Sequence, residues 1–149
     1  MAENLNYNAT GSKCYDNKPA NCDIYGRLYD GTMAMNICPN GWHLPSDAEW
    51  TTLENFIGND VNIKLISTSG WDYSYYERSG VTFTDDYGFS ALPGGHGDPH
   101  GGFGNIGFCG AWWNSSGYHR GTCADRPPGD LDRQNFIKSY YFSVRCVKD

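Results

Sequence analysis

The clearest hydrophobic pattern of the chain lies in residues 46–58, which read SDAEWTTLENFIG. Apolar side chains recur there at the spacing of one helix face, at Trp50, Leu53, Phe56 and Ile57. Ser46 and Glu49 stand three residues apart, the pattern of a capping box at a helix N-terminus. Gly58 follows as a stop signal. The pattern predicts a helix over 47–57 whose apolar face lies in the core.

Other patterns in the first half are shorter and weaker. Residues 1–30 are typical of short strands and turns, with an alternating strand over 25–31 that ends at an Asp-Gly pair. Residues 32–38, TMAMNIC, favour a short helix. The KLIS stretch at 64–67 fits a strand or a short helix, and the aromatic stretch 71–80 is predicted to form a loop.

Four segments organise the second half. Residues 88–95, GFSALPGG, predict a buried strand, and the glycine-rich run 95–107 predicts a loop. Residues 108–113, FCGAWW, and 140–147, YYFSVRCV, predict two further strands. The residues between these two strands have no steady period, so we expect a long irregular loop there.

Length and composition favour one α+β domain. The chain has 149 residues, of which 15% are aromatic and 19 are glycine, a mixture typical of short strands and long ordered loops. The net charge is −6 and the basic residues are scattered, which argues against nucleic acid as a partner. The sequence has no long apolar run for membrane insertion. Its N-terminus lacks the pattern of a signal peptide, so we expect any leader to be absent from this chain.

Six cysteines indicate an oxidising compartment, at positions 14, 22, 38, 109, 123 and 146. Their spacing contains no CxxC pair, which favours disulfides over zinc. Six thiols allow fifteen pairings, and spacing alone does not choose among them. The sequence therefore predicts a secreted or surface-exposed protein.

Eight phrases follow one another along nearly the whole chain: MAENLNY, YGRLYD, CPNGWHLPSDAEWTTLENFIG, STSGW, TDDYGFSALPGG, GGFGNIG, WWNSS and FSVRCVKD. In this order they resemble the Fibrobacter succinogenes major paralogous domain. HLPSDAEW is also similar to a helix of the formylglycine-generating enzyme superfamily. The resemblance implies one C-type lectin-like domain over 1–149, with small antiparallel sheets, two helices and long ordered loops. The N- and C-terminal strands are expected to lie close together.

The resemblance also implies two disulfides. Cys14 and Cys22 fall where the family often has a local pair, and Cys38 and Cys146 look like a pair that ties the turn before the helix to the last strand. Cys109 and Cys123 are not family hallmarks; they either pair with each other or remain free thiols.

The segment 108–141 differs from the family in a specific way. Many members carry runs of Asn and Tyr between the WW phrase and FSVRCVKD, whereas this chain has many other residue types there. Proteins of this fold serve as variable proteins of diversity-generating retroelements, in which template adenines are randomised. The resemblance implies a non-enzymatic binding domain with a variable C-terminal surface. Ordinary divergence of a loop among paralogues is the alternative.

We expect this surface to bind a protein or a cell-surface ligand, with a glycan as one candidate. Trp112 and Trp113 should point to opposite faces of a strand, one into the core and the other near the binding face. The candidate contacts are Phe108, Ala111, Trp113, Asn114, Tyr118, His119, Thr122, Asp125, Arg126, Asp130, Asp132, Asn135, Phe136 and Tyr140.

Other functions remain open. A fixed carbohydrate-binding or adhesion module would have the same fold, and Asp85, Asp86 and Asp98 could contribute to a structural calcium site, although the sugar-site motifs of calcium-dependent lectins are missing. Copper or redox chemistry like that of the formylglycine-generating relatives would need a closer pair of cysteines than those at 109 and 123. Histidines at 96 and 100 could share a metal, but no acidic cluster completes the site. No cofactor is therefore expected beyond structural calcium.

Overall fold

The structure of the protein is a computed structural model that describes residues 1, 3–72 and 80–149. The loop predicted at 71–80 lies outside the described residues except at its ends. In the described part of the chain, a 3₁₀ turn and four α-helices precede most of the strands: Tyr15–Asn17, α1 Pro19–Tyr25, α2 Gly31–Ala34, α3 Asp47–Ile57 and α4 Val61–Leu65. No helix among these residues is both long and apolar enough to cross a membrane.

Nine short strands form three antiparallel sheets in the same described ranges. The strands are β1 Tyr29–Asp30, β2 Trp42–His43, β3 Gly94–Gly97, β4 Phe103–Ile106, β5 Cys109–Trp113, β6 Tyr118–Cys123, β7 Asp132–Asn135, β8 Tyr141–Phe142 and β9 Val147–Lys148. One sheet has the order β1-β8-β3-β4, a second pairs β2 with β9, and the third has the order β5-β6-β7. The fold is therefore α+β with small antiparallel sheets, as expected.

The helix predicted over 47–57 is confirmed as α3. Ser46 Oγ accepts a hydrogen bond from the Glu49 backbone N–H at 3.2 Å, and the Ser46 N–H donates to Glu49 Oε2 at 2.8 Å. This capping box satisfies two backbone N–H groups at the helix start, those of Ser46 and Glu49. Gly58 ends the helix with a φ of 78°, a conformation that glycine adopts without a steric penalty.

The expectation of two helices was wrong, and so was that of short strands throughout residues 1–30. Pro19 stands at the first turn of α1, where its missing N–H costs no hydrogen bond. Asp30 caps α2 by accepting from the N–H groups of Thr32 and Met33. The strand predicted over 25–31 is limited to β1, and the KLIS stretch overlaps the end of α4, which agrees with its helical alternative.

The glycine-rich run predicted as a loop instead forms the β3–β4 hairpin. Gly95 explains how: a Cβ atom there would collide with the Gly104 carbonyl oxygen, so the two strands approach closely only because glycine is present. The strand predicted over 88–95 is also corrected. It provides only a single bridge, between Ile66 and Ala91, before β3 begins at Gly94.

The predicted long loop after Trp113 contains two strands, β6 and β7, which extend β5 into a three-stranded sheet. The predicted last strand is interrupted. It provides β8, a bridge from Ser143 to Trp112, and then β9. The strand predicted at 108–113 is confirmed as β5.

Strand β5 separates two hydrophobic clusters. Trp112 packs on one side with Trp50 and other residues from the helices, and Trp113 packs on the other side with Phe142 and Val144. Both tryptophans are almost fully buried. The expectation that one of them lies near a binding face was therefore wrong, because each face of β5 is covered by its own cluster.

Three disulfides close the described frame: Cys14–Cys22, Cys38–Cys146 and Cys109–Cys123. Both pairs implied by the resemblance are confirmed, and the two remaining cysteines pair with each other. Three disulfides indicate an oxidising, extracellular environment.

Candidate functional site

The sheet β5-β6-β7 presents two faces with different roles. Strand alternation sends the side chains of Trp112 and Arg120, which are register partners, toward helix α3. The neighbouring partners Ala111 and Gly121 belong to the opposite, outer face. A single hairpin therefore both anchors the sheet and lines a hollow on its outer side.

Arg120 anchors the inner face to α3. Its side chain is 5% exposed, and its Nη1 donates to both carboxylate oxygens of Glu54 at 2.9 and 2.8 Å. Its Nη2 donates to Asp47 Oδ1 at 3.0 Å, and Arg133 Nε reaches both Asp47 oxygens at 2.9 Å. Two arginines of the sheet thus hold two carboxylates of one helix.

The two carboxylates respond differently to this network. Burial raises the pKa of Glu54 and outweighs the nearby Arg120 charge. The hydrogen bond from Arg133, together with the charge of Arg120, lowers the pKa of Asp47. Glu54 is the more enclosed of the two, with a side chain 10% exposed against 22% for Asp47.

The outer face borders a cavity of about 210 Å³. Ala111 of β5 and Gly121 of β6 line this hollow, and the Cys109–Cys123 disulfide borders it. The His119 ring lies beside Gly121, with Cδ2 3.2 Å from the position that a Cβ atom would take there. His96 of β3 and Asn105 of β4 contribute from the hairpin, and Gln134, Phe136 and Phe142 complete much of the wall. The cavity therefore lies between the β3–β4 hairpin and the sheet that carries the segment 108–141.

Thr122, which is 2% exposed, and His119 are the buried polar residues of this cavity, and His119 is the one with an aromatic ring. It is 7% exposed, and its ring lies 4.9 Å from that of Phe136 and 5.0 Å from that of Phe142. Burial lowers the pKa of His119 to about 4, although a hydrogen bond with the Gln134 backbone opposes the shift. The imidazole is neutral at pH 7, and its Nδ1 has no hydrogen-bond partner among the described residues.

Charged residues and an anchored loop form the mouth of the cavity. Arg126 Nη2 lies 2.9 Å from Asp132 Oδ2 in a half-exposed ion pair. The loop that carries Arg126 is fixed by buried Asn62 of α4, which donates to the Pro127 carbonyl at 2.9 Å and accepts from the Gly129 N–H at 3.0 Å. Because Asn62 bonds to the backbone of this loop, the side chains of residues 125–128 remain exposed.

Six of the fourteen candidate contacts line this one cavity: Ala111, His119, Thr122, Arg126, Asp132 and Phe136. Three more are exposed on the same segment, at Asp125, Asp130 and Asn135. Tyr140 packs on Phe136 at 4.9 Å, Tyr118 lies under Arg133 at 4.2 Å, and Phe108 packs against the helix-side core.

Trp113 and Asn114 were expected to contact a ligand, but the structure buries both. Trp113 Nε1 donates to the Tyr29 carbonyl at 2.8 Å. Asn114 Oδ1 accepts from the N–H groups of Ser116 and Tyr118 and so shapes the β5–β6 turn. Both polar groups are used for internal hydrogen bonds, so these two side chains support the frame instead of facing solvent.

Sequence reasoning missed eight wall residues as ligand contacts: His96, Asn105, Cys109, Gly110, Gly121, Cys123, Gln134 and Phe142. The available signal was the alternation of side chains along YHRGTC, residues 118–123. It places His119 and Gly121 on one face of the strand and Tyr118 and Arg120 on the other. No sequence signal placed the β3–β4 hairpin beside this strand, since that contact is purely tertiary.

The acidic residues considered for calcium do not come together. Asp85 accepts from the Ser90 N–H at 2.7 Å, whereas Asp98 accepts from the N–H groups of His100 and Gly102. Within residues 1, 3–72 and 80–149, no three His, Cys, Asp or Glu side chains form a group that could hold a metal ion.

A larger hollow of about 560 Å³ lies elsewhere, along α3 near the chain ends. Its walls are mostly apolar, with Trp50, Leu53 and Phe89 among them. Its three charged groups are already engaged: Glu49 in the capping box, Arg145 in a bond of 2.8 Å to the Ser90 carbonyl, and the Met1 ammonium in one of 2.7 Å to the Cys146 carbonyl. Size alone would favour this hollow, but the cavity beside β6 brings the candidate contacts together.

The family model described as Fibrobacter succinogenes major domain matches residues 1–148 of the chain. No curated protein and no solved structure matches the chain.

Proposed function

The chain belongs to the Fibrobacter succinogenes major domain family, and we propose that it is a non-enzymatic ligand-binding domain. Its binding surface is the outer face of β5-β6-β7 together with the loops that flank β7. The observation that carries this proposal is the convergence of six candidate contacts on one cavity of about 210 Å³. Concave sites with apolar walls and a few polar groups are typical of ligand binding.

The rest of the surface extends outward from the cavity. Residues 125–128 and 133–135 are exposed, and residues 137–139 continue the exposed run after β7. Strand β7 is an edge strand, because in the described sheet it pairs only with β6. Side chains here change without disturbing a core, which suits a surface that must vary among copies.

The frame beneath this surface supports diversification as the proposed origin of the segment. Arg120 fixes β6 to α3 through Glu54, the Cys109–Cys123 disulfide closes the β5–β6 hairpin, and Asn62 fixes the loop at Gly129. We therefore propose that this chain is the variable protein of a diversity-generating retroelement, with changes concentrated in 108–141.

A C-type lectin-like fold is the architecture that we propose for this domain. Its support is the closeness of the two ends of the chain. The Met1 ammonium donates to the Cys146 carbonyl at 2.7 Å, and the Leu5 N–H donates to the Val144 carbonyl at 2.8 Å. Together with the disulfides, this compact extracellular frame fits display as a secreted or cell-surface protein that meets a protein or glycan partner.

A binding screen with matched variants tests the function. The intact chain would be applied to an array of purified cell-surface proteins and to a glycan array, with and without calcium. Phe136→Ala removes one cavity wall, whereas Phe56→Ala removes an aromatic ring that is 74% exposed on α3, away from the cavity. We expect a bound target to be lost with Phe136→Ala and kept with Phe56→Ala.

Two results would contradict the proposal. One is a target whose binding is insensitive to Phe136→Ala, because the binding surface would then lie elsewhere. The other is turnover of an array component by the wild-type protein. Calcium-dependent glycan binding at this cavity would instead favour a fixed carbohydrate-binding module.

A further inference from the structure

His43 lies between two carboxylates that come from different parts of the chain. Its Nδ1 is 2.6 Å from Asp149 Oδ1, and its Nε2 is 2.7 Å from Glu49 Oε1. An ionised carboxylate only accepts hydrogen bonds, so each contact needs an N–H on the ring. A neutral imidazole has one N–H, whereas the imidazolium ion has two. The two contacts together therefore need the protonated ring.

The ring connects the end of β9 to the start of α3. His43 is the register partner of Val147, and the Asp149 N–H donates to the Gly41 carbonyl at 3.1 Å. Glu49 stands in the first turn of α3. Strand β9 has only two residues, and both are exposed. The contacts of the ring thus supplement a very short backbone pairing.

The two carboxylates differ in how firmly they are held. Glu49 Oε2 accepts from the Ser46 N–H and from the Ser46 hydroxyl, both at 2.8 Å, so the helix cap fixes its position. The Asp149 side chain is 60% exposed and can turn toward water. When the ring has one N–H left, we therefore expect the bond to Glu49 to be kept and the bond to Asp149 to be lost.

The surrounding charges favour the protonated ring. The hydrogen bond to Asp149, followed by that to Glu49, raises the pKa of His43. Lys148 lies on the other face of β9, because side chains alternate along a strand. The other charged groups on the elements packed around the ring have the bonds described above: the Met1 ammonium, Asp47, Glu54 and Arg145.

We infer that His43 forms a pH-sensitive clasp, in which its imidazolium ion donates to Asp149 and to Glu49 and fastens β9 to the start of α3, and that loss of its proton releases Asp149. Glu49 and Val147 also line the hollow along α3, so release of β9 alters one wall of that hollow. The clasp uses none of the described wall residues of the cavity beside β6, so its test is separate from that of the proposed function.

The clasp has an alkaline and an acidic limit. A raised pKa means that the contribution of His43 is fully present below 6.5, its ordinary value, and is lost as the pH rises through the raised value. On the acidic side the carboxylates must remain ionised. The Ser46 backbone bond, followed by the bond from His43, lowers the pKa of Glu49 and extends the clasp toward acid.

The test follows the ring and β9 together by NMR in the intact chain, from about pH 5 to about pH 9, a range that brackets the ordinary histidine value. We expect the His43 ring to titrate above 6.5, with both ring nitrogens protonated before the transition and one after it. Backbone order parameters of residues 147–149 should be near about 0.85 with the ring protonated and fall toward about 0.6 after it loses its proton.

Matched variants assign the effect to the two carboxylates. Asp149→Asn supplies an amide with both a donor and an acceptor, which fits either state of the ring. It should lower the pKa of His43 and remove the pH dependence of the order parameters. Glu49→Gln keeps a residue that suits the capping box and should also lower the pKa of His43. Asp23→Asn, an equal change of charge at an exposed position of α1, is the control and should alter neither quantity.

A His43 pKa at or below 6.5 would overturn the inference. So would a raised pKa that Asp149→Asn and Glu49→Gln leave unchanged, because the carboxylates would then not hold the proton. Order parameters of residues 147–149 that stay the same on both sides of the transition would overturn it too, since the ring would then not fasten β9.

Discussion

Arg120 Nη1 lies 2.9 and 2.8 Å from the two carboxylate oxygens of Glu54, which joins the middle strand of the candidate binding sheet to the best-defined helix of the chain. Both side chains are nearly enclosed, with exposed fractions of 5% and 10%. The contact links a segment that we propose to vary with a helix whose sequence pattern is strong. The binding surface thus depends on an ion pair behind it.

Arg120→Met tests this ion pair. The change leaves the Glu54 carboxylate buried without its partner, which costs about 3–5 kcal/mol for a pair of this kind. Chemical denaturation measures the free energy of unfolding. Arg133→Met is the matched control, because Arg133 bonds Asp47 from a side chain that is 47% exposed, where an ion pair contributes about 1 kcal/mol or less. Equal losses in the two variants would show that the enclosed pair has no special role.

The disulfides should contribute unequally to stability. Cys38–Cys146 closes a separation of 108 residues, whereas Cys14–Cys22 closes one of 8. The loop-entropy relation gives about 5 kcal/mol for the first and about 2.5 kcal/mol for the second. Replacing each pair by Ala and comparing the free energies of unfolding checks this order. A larger loss for the short loop would contradict it.

The buried His119 should make stability depend on pH. Burial lowers its pKa to about 4 in the folded chain, from the ordinary histidine value of 6.5. Between these values the unfolded chain binds more protons, so stability is fully present above about 6.5 and falls as the pH drops toward 4. A shift of this size corresponds to at most about 3.4 kcal/mol. Urea denaturation at several pH values measures the slope.

His119→Phe is the control for that slope. The difference in slope between the wild type and the variant gives the contribution of His119, because the nearby carboxylates titrate in both proteins. His96, whose pKa burial also lowers, adds a slope of the same sign in both proteins. The hydrogen bonds of Asp149 and then Glu49 raise the pKa of His43, so its contribution is lost as the pH rises through the raised value. A slope unchanged in His119→Phe would contradict the assignment.

Asn62→Ala should loosen the loop at the cavity mouth. The change removes three hydrogen bonds: the one to the Pro127 carbonyl and those from the Gly129 and Ile63 N–H groups. Each buried group left unpaired costs about 1–3 kcal/mol, so the Gly129 amide should exchange with solvent faster by tenfold or more. Amide hydrogen exchange measures this rate. Asn21→Ala is the control, because the Asn21 side chain donates to the Tyr15 carbonyl, far from Gly129 in the sequence. Unchanged exchange at Gly129 would exclude Asn62 as the anchor.

Local signals predicted α3 because every one of its determinants is close in sequence. Ser46, Glu49 and Gly58 define its ends without help from the rest of the chain. Strands β6 and β7 were missed for the opposite reason. The DRQN sequence of β7 is polar because it is an edge strand with three exposed positions, so it has no apolar alternation to find.

The candidate site was predicted at the level of a segment and only partly at the level of side chains. Exposed, small and aromatic residues of 108–141 indicated a surface, and six of them do line one cavity. Trp113 was misplaced because composition does not reveal that both faces of β5 are covered. The ring contact between His119 and Phe142 depends on packing between residues distant in sequence, and no short sequence pattern predicts such a contact.

Sequencing this gene and its flanks in many cells of one population tests the central claim most directly. The account predicts differences confined to codons 108–141 and concentrated at exposed or cavity-lining positions such as 125, 126 and 136. Codons for buried Trp112, Trp113 and Arg120 should stay fixed, and a near-copy of the segment with a reverse transcriptase gene should lie nearby. An invariant segment without a second copy would contradict diversification and leave the surface as a fixed site.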